Sequence, residues 1–344
     1  MSLARLTDRT LVRNVGLTLA LALALLIISL ALTPFNNLRL ASIAYYFTAL
    51  AGLTMLTGLN GQISLGHGAL MAVGAYTVAI LVGRDGWATA PALAAATAST
   101  ALVGSLLGAV AARLRGPYLA GATLAFAVGL PGLADRYPDA FGGENGLTVP
   151  PPVPPSGLGS TFPLERWEAW IACATALVTF LVLSNLRRSR IVRVMRAVRD
   201  DEVAAQLSGL DVARIQITAF VVSAACAGLA GGTLVVVTQL AAPGAFTLAL
   251  SLALLTGIVL GGLGSLPGAL WGAIVLVMLP VWSDDIANHF SLSNDVQSNL
   301  PLALYGVVLM GVIVAAPTGV QGALRRIGRR LGLRPSMSHQ EEGP

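Results

Sequence analysis

Apolar residues gather along the chain into runs long enough to cross a lipid bilayer, and the polar positions fall mainly between those runs. A spanning helix needs about 20 mostly apolar residues. Ten segments qualify: 15–33, 39–58, 65–82, 89–111, 118–134, 167–186, 214–238, 246–262, 265–282 and 300–316. The fifth is short and is expected to be tilted or broken. The first lacks a convincing cleavage site and reads as a retained span. The pattern predicts an all-α fold, a polytopic transmembrane helical bundle of about ten spans. A short N-terminal segment, 1–14, precedes the membrane domain at 15–317, and a basic tail, 318–344, follows it.

Orientation follows from the charges. With the N-terminus inside, the inner segments hold 17 of the 21 Arg residues, counting Arg214 at a span edge. Only Arg39, Arg84, Arg136 and Arg166 lie on the outer side. Cytoplasmic loops carry such an excess, so both termini and the 187–213 loop are predicted to be cytoplasmic, with 135–166 outside. Trp87, Trp167, Trp170 and Trp282 fall near outer span ends, where interfacial aromatics belong.

Composition agrees. The 344 residues are 55% hydrophobic and only 11% charged, against about a quarter charged in soluble domains. The net charge is +5 and every basic residue is Arg. These arginines sit between apolar runs, so they read as the positive-inside bias and not as a nucleic-acid footprint. Cys173 and Cys226 lie within apolar runs and read as small buried hydrophobes. No metal or cofactor site is expected.

Two loops stand out. The outer loop, 135–166, contains GGENGLTVPPPVPPSGLG; its Gly and Pro content excludes a long helix. It reads either as a turn-rich cap over the bundle or as a plain connector. The inner loop predicts a helix from Ser189 to Leu207, with Gly209 as the stop. Ile191, Val194, Met195 and Val198 form its apolar face, and Arg190, Arg193, Arg196 and Arg199 its basic positions. Asp200, Asp201, Glu202, Ala204 and Ala205 follow. Such a helix either lies on the anionic inner leaflet or docks into a groove on a cytoplasmic partner. The acids and small residues favour docking, because a lipid anchor gains nothing from three consecutive acids.

Gly58 to Tyr76 reads GLNGQISLGHGALMAVGAY, with five glycines and four polar side chains at an inner boundary between spans. Irregular backbone at membrane depth is tolerated only where it packs in protein or lines a watery cavity. Asn60, Gly61, Gln62, Ser64, Gly66, His67 and Gly68 are therefore candidates for the translocation path. A tight hairpin packed through small residues is the competing reading. A related pattern, GGLGSLPGALWGA, spans Gly261 to Ala273. Its Ser265 to Leu270 echoes Ser64 to Leu70, as an internal repeat would.

The absences also count. The sequence has no GxxxxGK[ST] loop and no Lys at all, so it has no phosphate-binding lysine of that kind. Acids and histidines, which ion-coupled transporters place inside the membrane, are scarce in the spans.

Five blocks now form a recognisable order: GQISLGHGALMAVGAY, RGPYLAGATLAF, GGENGLTVPP, RAVRDDEVAAQLSGLDVARIQITAF and GGLGSLPGALWGA. Over residues 38 to 317 the chain resembles the permease subunits of branched-chain amino-acid ABC importers, of the LivM type. The resemblance implies a non-enzymatic inner-membrane subunit that pairs with a second related permease subunit. Two cytoplasmic ATP-binding subunits and a periplasmic substrate-binding protein would complete the importer. It implies that Asp200 to Gly209 is the segment that contacts the ATPase, so the coupling candidates are Arg199, Asp200, Asp201, Glu202, Ala204, Ala205 and Gly209. The implied cargo is a branched-chain amino acid or a related small polar solute, since related permeases carry urea and short amides. An ion-coupled secondary transporter is the alternative; it leaves the 187–213 helix without a task.

Overall fold

In the computed structural model, residues 3–289 are described apart from 115–116 and 160–161, together with a few positions between 304 and 311 and the helix Gly319–Arg330. The architecture is a helical bundle. In chain order the helices are α1 (Leu3–Ala31), α2 (Pro34–Leu53), α3 (His67–Gly83), α4 (Thr89–Ala111), α5 (Pro117–Arg136) and the short α6 (Pro138–Phe141). Then come α7 (Leu164–Leu186), α8 (Arg190–Asp200), α9 (Glu202–Leu207), α10 (Val212–Thr238), α11 (Leu248–Gly261) and α12 (Leu266–His289). Eight of these stretches are long and apolar enough to cross a membrane, and the 17-residue α3 is a shorter apolar helix. These account for nine of the ten expected spans. The tenth, 300–316, lies largely outside the described residues. The fifth span is not broken: α5 runs through Pro131 to Arg136.

The centre of the bundle is α10, whose residues from Ala219 to Val237 are mostly buried. It can be central because its surface is small. A methyl group on Gly74 of α3 would overlap the backbone of Gly228 on α10, so the two helices cross with their backbones in near contact. Within a membrane, helix association rests on such close packing and not on the exclusion of water. Other large apolar side chains face outward: Leu102, Leu106 and Val110 on α4, Val178 and Val182 on α7. That inversion of a soluble protein's surface is what lipid requires.

The connections collect at two opposite ends. At one end Asn14 Nδ2 donates to Asn185 Oδ1 at 2.7 Å, Arg187 donates to the Gly264 carbonyl at 3.0 Å, and Arg199 donates to the Gly58 carbonyl at 2.8 Å. At the other end Arg84 donates to the Asp139 carbonyl at 2.7 Å, and Trp170 donates to Ser29 at 3.1 Å. The segments that the arginine count places on one side therefore meet at one end of the bundle.

Part of the 135–166 segment is tied to the bundle. Its two-residue strand β1 (Leu147–Thr148) pairs antiparallel with β2 (Leu240–Ala241), which follows α10. Val149 donates to the Gln239 carbonyl at 2.9 Å, and Gln239 in turn donates from Nε2 to the buried Glu168 at 3.0 Å.

Candidate functional site

The end that carries the 187–213 loop holds the candidate site. The Gly-rich segment builds its first wall. After α2 the chain widens into a π-helical turn, Thr54–Leu59, and leaves helical geometry between Gly61 and Gly66 before α3 begins. Gly61 has φ of +78°, a left-handed conformation that only glycine adopts cheaply. π-turns are rare and concentrate at functional sites.

The second wall is the inner loop, and here the structure corrects the sequence reading. The helix from Ser189 to Leu207 is not continuous. It breaks at Asp201, whose backbone is extended (φ −157°, ψ 109°) and whose side chain accepts from the Ala204 amide at 2.9 Å. An Asp that can cap a new helix N-terminus competes with continuing the old one, and α9 starts afresh behind it. The buried face of α8 is Val192, Met195 and Val198. Ile191, expected on the same apolar face, is 46% exposed and lies apart from it. Ala205 was expected to allow a partner to approach. It is buried, packed with Val198 and Val212 in the loop's own small core. The outward surface of α9 is instead Val203, Ala204, Gln206 and Leu207. Gly209, at φ +79°, ends α9 as expected, with the Leu210 amide closing back on the Ala205 carbonyl at 3.1 Å.

Arg199 joins the two walls. Its guanidinium reaches the Gly58 carbonyl and also Asp200 at 2.8 Å. Its aliphatic stem lies over Gly61, where a Cβ would sit 2.6 Å from Arg199 Cγ. Between the walls lies a cavity of about 540 Å³. It brings together Asn60, Gly61 and Gln62 with Arg199, Asp200, Asp201 and Glu202. Asn60 is 3% exposed, and neither its Nδ2 nor its Oδ1 has a hydrogen-bond partner. The Oε1 of Gln62 is buried and also unpartnered. Both residues line the cavity, while these side-chain atoms are themselves turned into the protein.

Four of the translocation-path candidates do not line the cavity, nor do Ala204, Ala205 and Gly209. Ser64 is fully buried, with its hydroxyl accepting from the Gly66 amide at 3.3 Å. Gly66 is tight against the Thr123 carbonyl of α5. The His67 Nε2 lies 3.0 Å from the Ala49 carbonyl. The Gly68 amide donates to Ser251 of α11 at 3.0 Å. These residues seat α3 among its neighbours. Sequence reading missed Gln216, which also lines the cavity; a lone carboxamide in the first turns of an otherwise apolar span was the available signal. Leu119 and Ala120 of α5 complete that side and carried no signal. Among the described residues no group of three or more His, Cys, Asp or Glu is placed to hold a metal ion.

Comparison with known proteins adds the following. A sequence model of the family described as "Branched-chain amino acid transport system / permease component" matches residues 33–317. The high-affinity branched-chain amino acid transport system permease protein LivM of Salmonella typhimurium is 32% identical over 282 residues, which is 74% of this chain and 66% of that protein. LivH of Escherichia coli, from a system of the same description, is 28% identical over 303 residues, 84% of this chain and 94% of the relative. BraD of Pseudomonas aeruginosa is 26% identical over 284 residues, 79% and 89% respectively. The match thus spans just under two thirds of the LivM relatives' length, at 66%. No solved structure gives a significant match.

Proposed function

The chain belongs to the family of branched-chain amino acid transport system permease components, and from that premise we propose that it is one membrane subunit of an ABC importer. Its spans form part of the translocation pathway for a branched-chain amino acid or a related small polar solute. A second related permease subunit completes the pathway in the lipid bilayer. Two cytoplasmic ATP-binding subunits drive it, and a periplasmic substrate-binding protein delivers the solute. The end that carries α8 and α9 faces the cytoplasm, together with both termini; the 135–166 cap faces the periplasm across the inner membrane.

The observation that carries this reading is the Arg199 contact. A permease without a nucleotide site must receive the work of ATP hydrolysis by contact, through an element rigid enough to pass on a displacement. The α8 helix is such an element, held to the bundle by Val192, Met195 and Val198. Arg199 connects its end to Gly58 and Gly61, where the membrane backbone leaves helical geometry. The exposed α9 face supplies the docking surface, with Val203 65% and Leu207 86% exposed. Apolar side chains this exposed on a water-facing loop suit a groove on a partner.

The test is a single-cysteine scan in the assembled importer. A cysteine at Leu207 should cross-link to an ATPase subunit and escape labelling by a membrane-impermeant reagent applied from the periplasm. A cysteine at Gly157 should be labelled from the periplasm. Periplasmic labelling at position 207, or no ATPase cross-link from either position 203 or 207, overturns the assignment.

A further inference from the structure

The α8 helix has a second apolar edge that the bundle does not cover. Val192, Met195 and Val198 are buried, but Ile191 and Val194 line a separate groove of about 280 Å³. Ile215 and Thr218 of α10 form its other wall, and each helix contributes one arginine, Arg190 and Arg214. Helical spacing explains the arrangement. Residues three and four apart share a face, so Val194 lies under both Arg190 and Ile191, and Thr218 under both Arg214 and Ile215.

The spans fix the level of this groove. The apolar stretch of α7 ends at Leu186 and that of α10 begins at Val212. Arg190 and Arg214 follow closely on those two points, so they stand where the bilayer gives way to water. Ile215 and Thr218 lie within the α10 span. Asp211 pairs with Arg214 through Nε at 2.8 Å, and the arginine side chain is still 86% exposed; a guanidinium has five N–H donors. From Arg187 to Arg199 the chain holds six arginines and no acid, so the mouth of the groove is positive.

An occupant has to bring an anion to the two arginines and an apolar body to the wall beneath them. A free phosphate ion gains nothing from Ile191, Val194 and Ile215. An acidic protein segment satisfies the arginines and leaves that apolar wall without a partner. A zwitterionic phospholipid brings a cation to a positive mouth. An anionic glycerophospholipid supplies a phosphate for both guanidiniums, which bind such groups in a fork geometry, and an acyl chain for the wall. Basic pockets between spans at the cytoplasmic side hold anionic headgroups in this way. We propose that the groove between α8 and the first turns of α10 binds one anionic phospholipid, and that this lipid completes the seat of α8. Val192, Met195 and Val198 hold one edge of the helix to the protein, and the lipid covers the edge carrying Ile191 and Val194 while its phosphate ties α8 to α10. The break at Asp201 then divides two tasks between two helices: α8 meets lipid, and α9 meets the ATPase. The proposal rests on the importer reading only for assigning the lipid to the cytoplasmic leaflet.

The test adds lipid to the purified full-length chain together with its co-purifying subunits. Native mass spectrometry compares retention of phosphatidylglycerol and phosphatidylcholine at matched concentrations. The unaltered protein should retain phosphatidylglycerol preferentially, and excess inorganic phosphate should not displace it. Arg190→Gln and Arg214→Gln should each weaken that retention by about fivefold, and the double variant by about twentyfold or more, the usual contribution of an arginine at an anionic surface. Arg193→Gln, on the same helix but outside the groove, should change it far less. Thr218→Trp, which fills the groove from α10 and leaves the charge unaltered, should abolish the preference. In a thermal-unfolding arm, phosphatidylglycerol should raise the Tm of the unaltered protein and leave that of the double variant where it stands without lipid. Equal retention of the two lipids, equal weakening by Arg193→Gln, displacement by phosphate, or a lipid-induced rise in Tm that persists in the double variant overturns the site. Cross-linking of Ile191→Cys to a co-purifying subunit puts protein in the groove and overturns the lipid. None of these measurements needs transport, so a chain that binds lipid as expected but fails the ATPase cross-link from position 207 keeps the groove and loses the importer reading.

Discussion

Two Gly-rich turns with similar sequences lie side by side at the end of the bundle that carries α8 and α9, and they are built to opposite effect. The Gly262–Ser265 turn is closed. Ser265 accepts from the Gly268 amide at 3.0 Å and donates to the Gly262 carbonyl at 3.2 Å, and Arg187 donates to the Gly264 carbonyl at 3.0 Å. The Gly61–Gly66 turn is open. It too receives an arginine from the inner loop, but beside that contact lie two carboxamides with unpartnered atoms and a cavity. One turn has its polar groups spent on itself and serves as an anchor. The other keeps carboxamide atoms without a partner at the point where the α8–α9 loop touches the bundle. Sequence similarity between the turns therefore does not carry over to their hydrogen bonding.

The sharpest way to break this comparison is at the seam between the turns. Gly58 packs its Cα against the backbone of Gly264. Gly58→Leu should force the turns apart, at about 1–3 kcal/mol or more for overpacking. We expect the yield of monodisperse protein after detergent extraction to collapse. A normal yield would show that the seam is not structural.

A smaller effect separates function from folding. Gly61→Leu places a side chain where Arg199 lies and demands a left-handed backbone, costing roughly 1–2 kcal/mol. The bundle core is distant, so insertion should persist while uptake falls by about tenfold or more, as that strain implies. Unchanged uptake would make the open turn a simple connector.

The arginines provide a matched pair. Arg199→Ala should lower uptake severalfold while ATPase subunits still co-purify, because α8 keeps its buried face. Arg187→Ala should lower thermal stability more than Arg199→Ala does, since its partner turn is the anchor. Equal losses of stability and uptake in both would erase the distinction. The smallest effect belongs to Glu202→Ala. An exposed charge contact on this segment is worth about 0.2–1 kcal/mol, so uptake should fall by less than about fivefold, with a greater deficit at low ionic strength than at high.

Much of the fold was legible along the chain because lipid imposes it. Every backbone group must be satisfied inside the membrane, so spans appear as apolar runs and their ends as arginine and glycine. The positions of α2, α4, α7, α10 and α11 follow from that constraint alone. The irregular backbone at Gly61 and the stop at Gly209 were also readable, because a glycine bounded by polar residues signals backbone that helices do not allow. What only the tertiary structure decided is which candidates share a site. Asn60 and Arg199 are separated by well over a hundred residues, and no periodicity links them. Ala205 and Ala204 are indistinguishable as small residues, yet one is enclosed by Val198 and Val212 and the other faces outward. The break at Asp201 depends on whether its carboxylate caps a new helix or remains in the old one, a choice between two local hydrogen-bonding patterns of similar energy. Long-range packing of α8 against α10 settles it. Sequence fixes what each segment can do alone, and the fold decides what it meets.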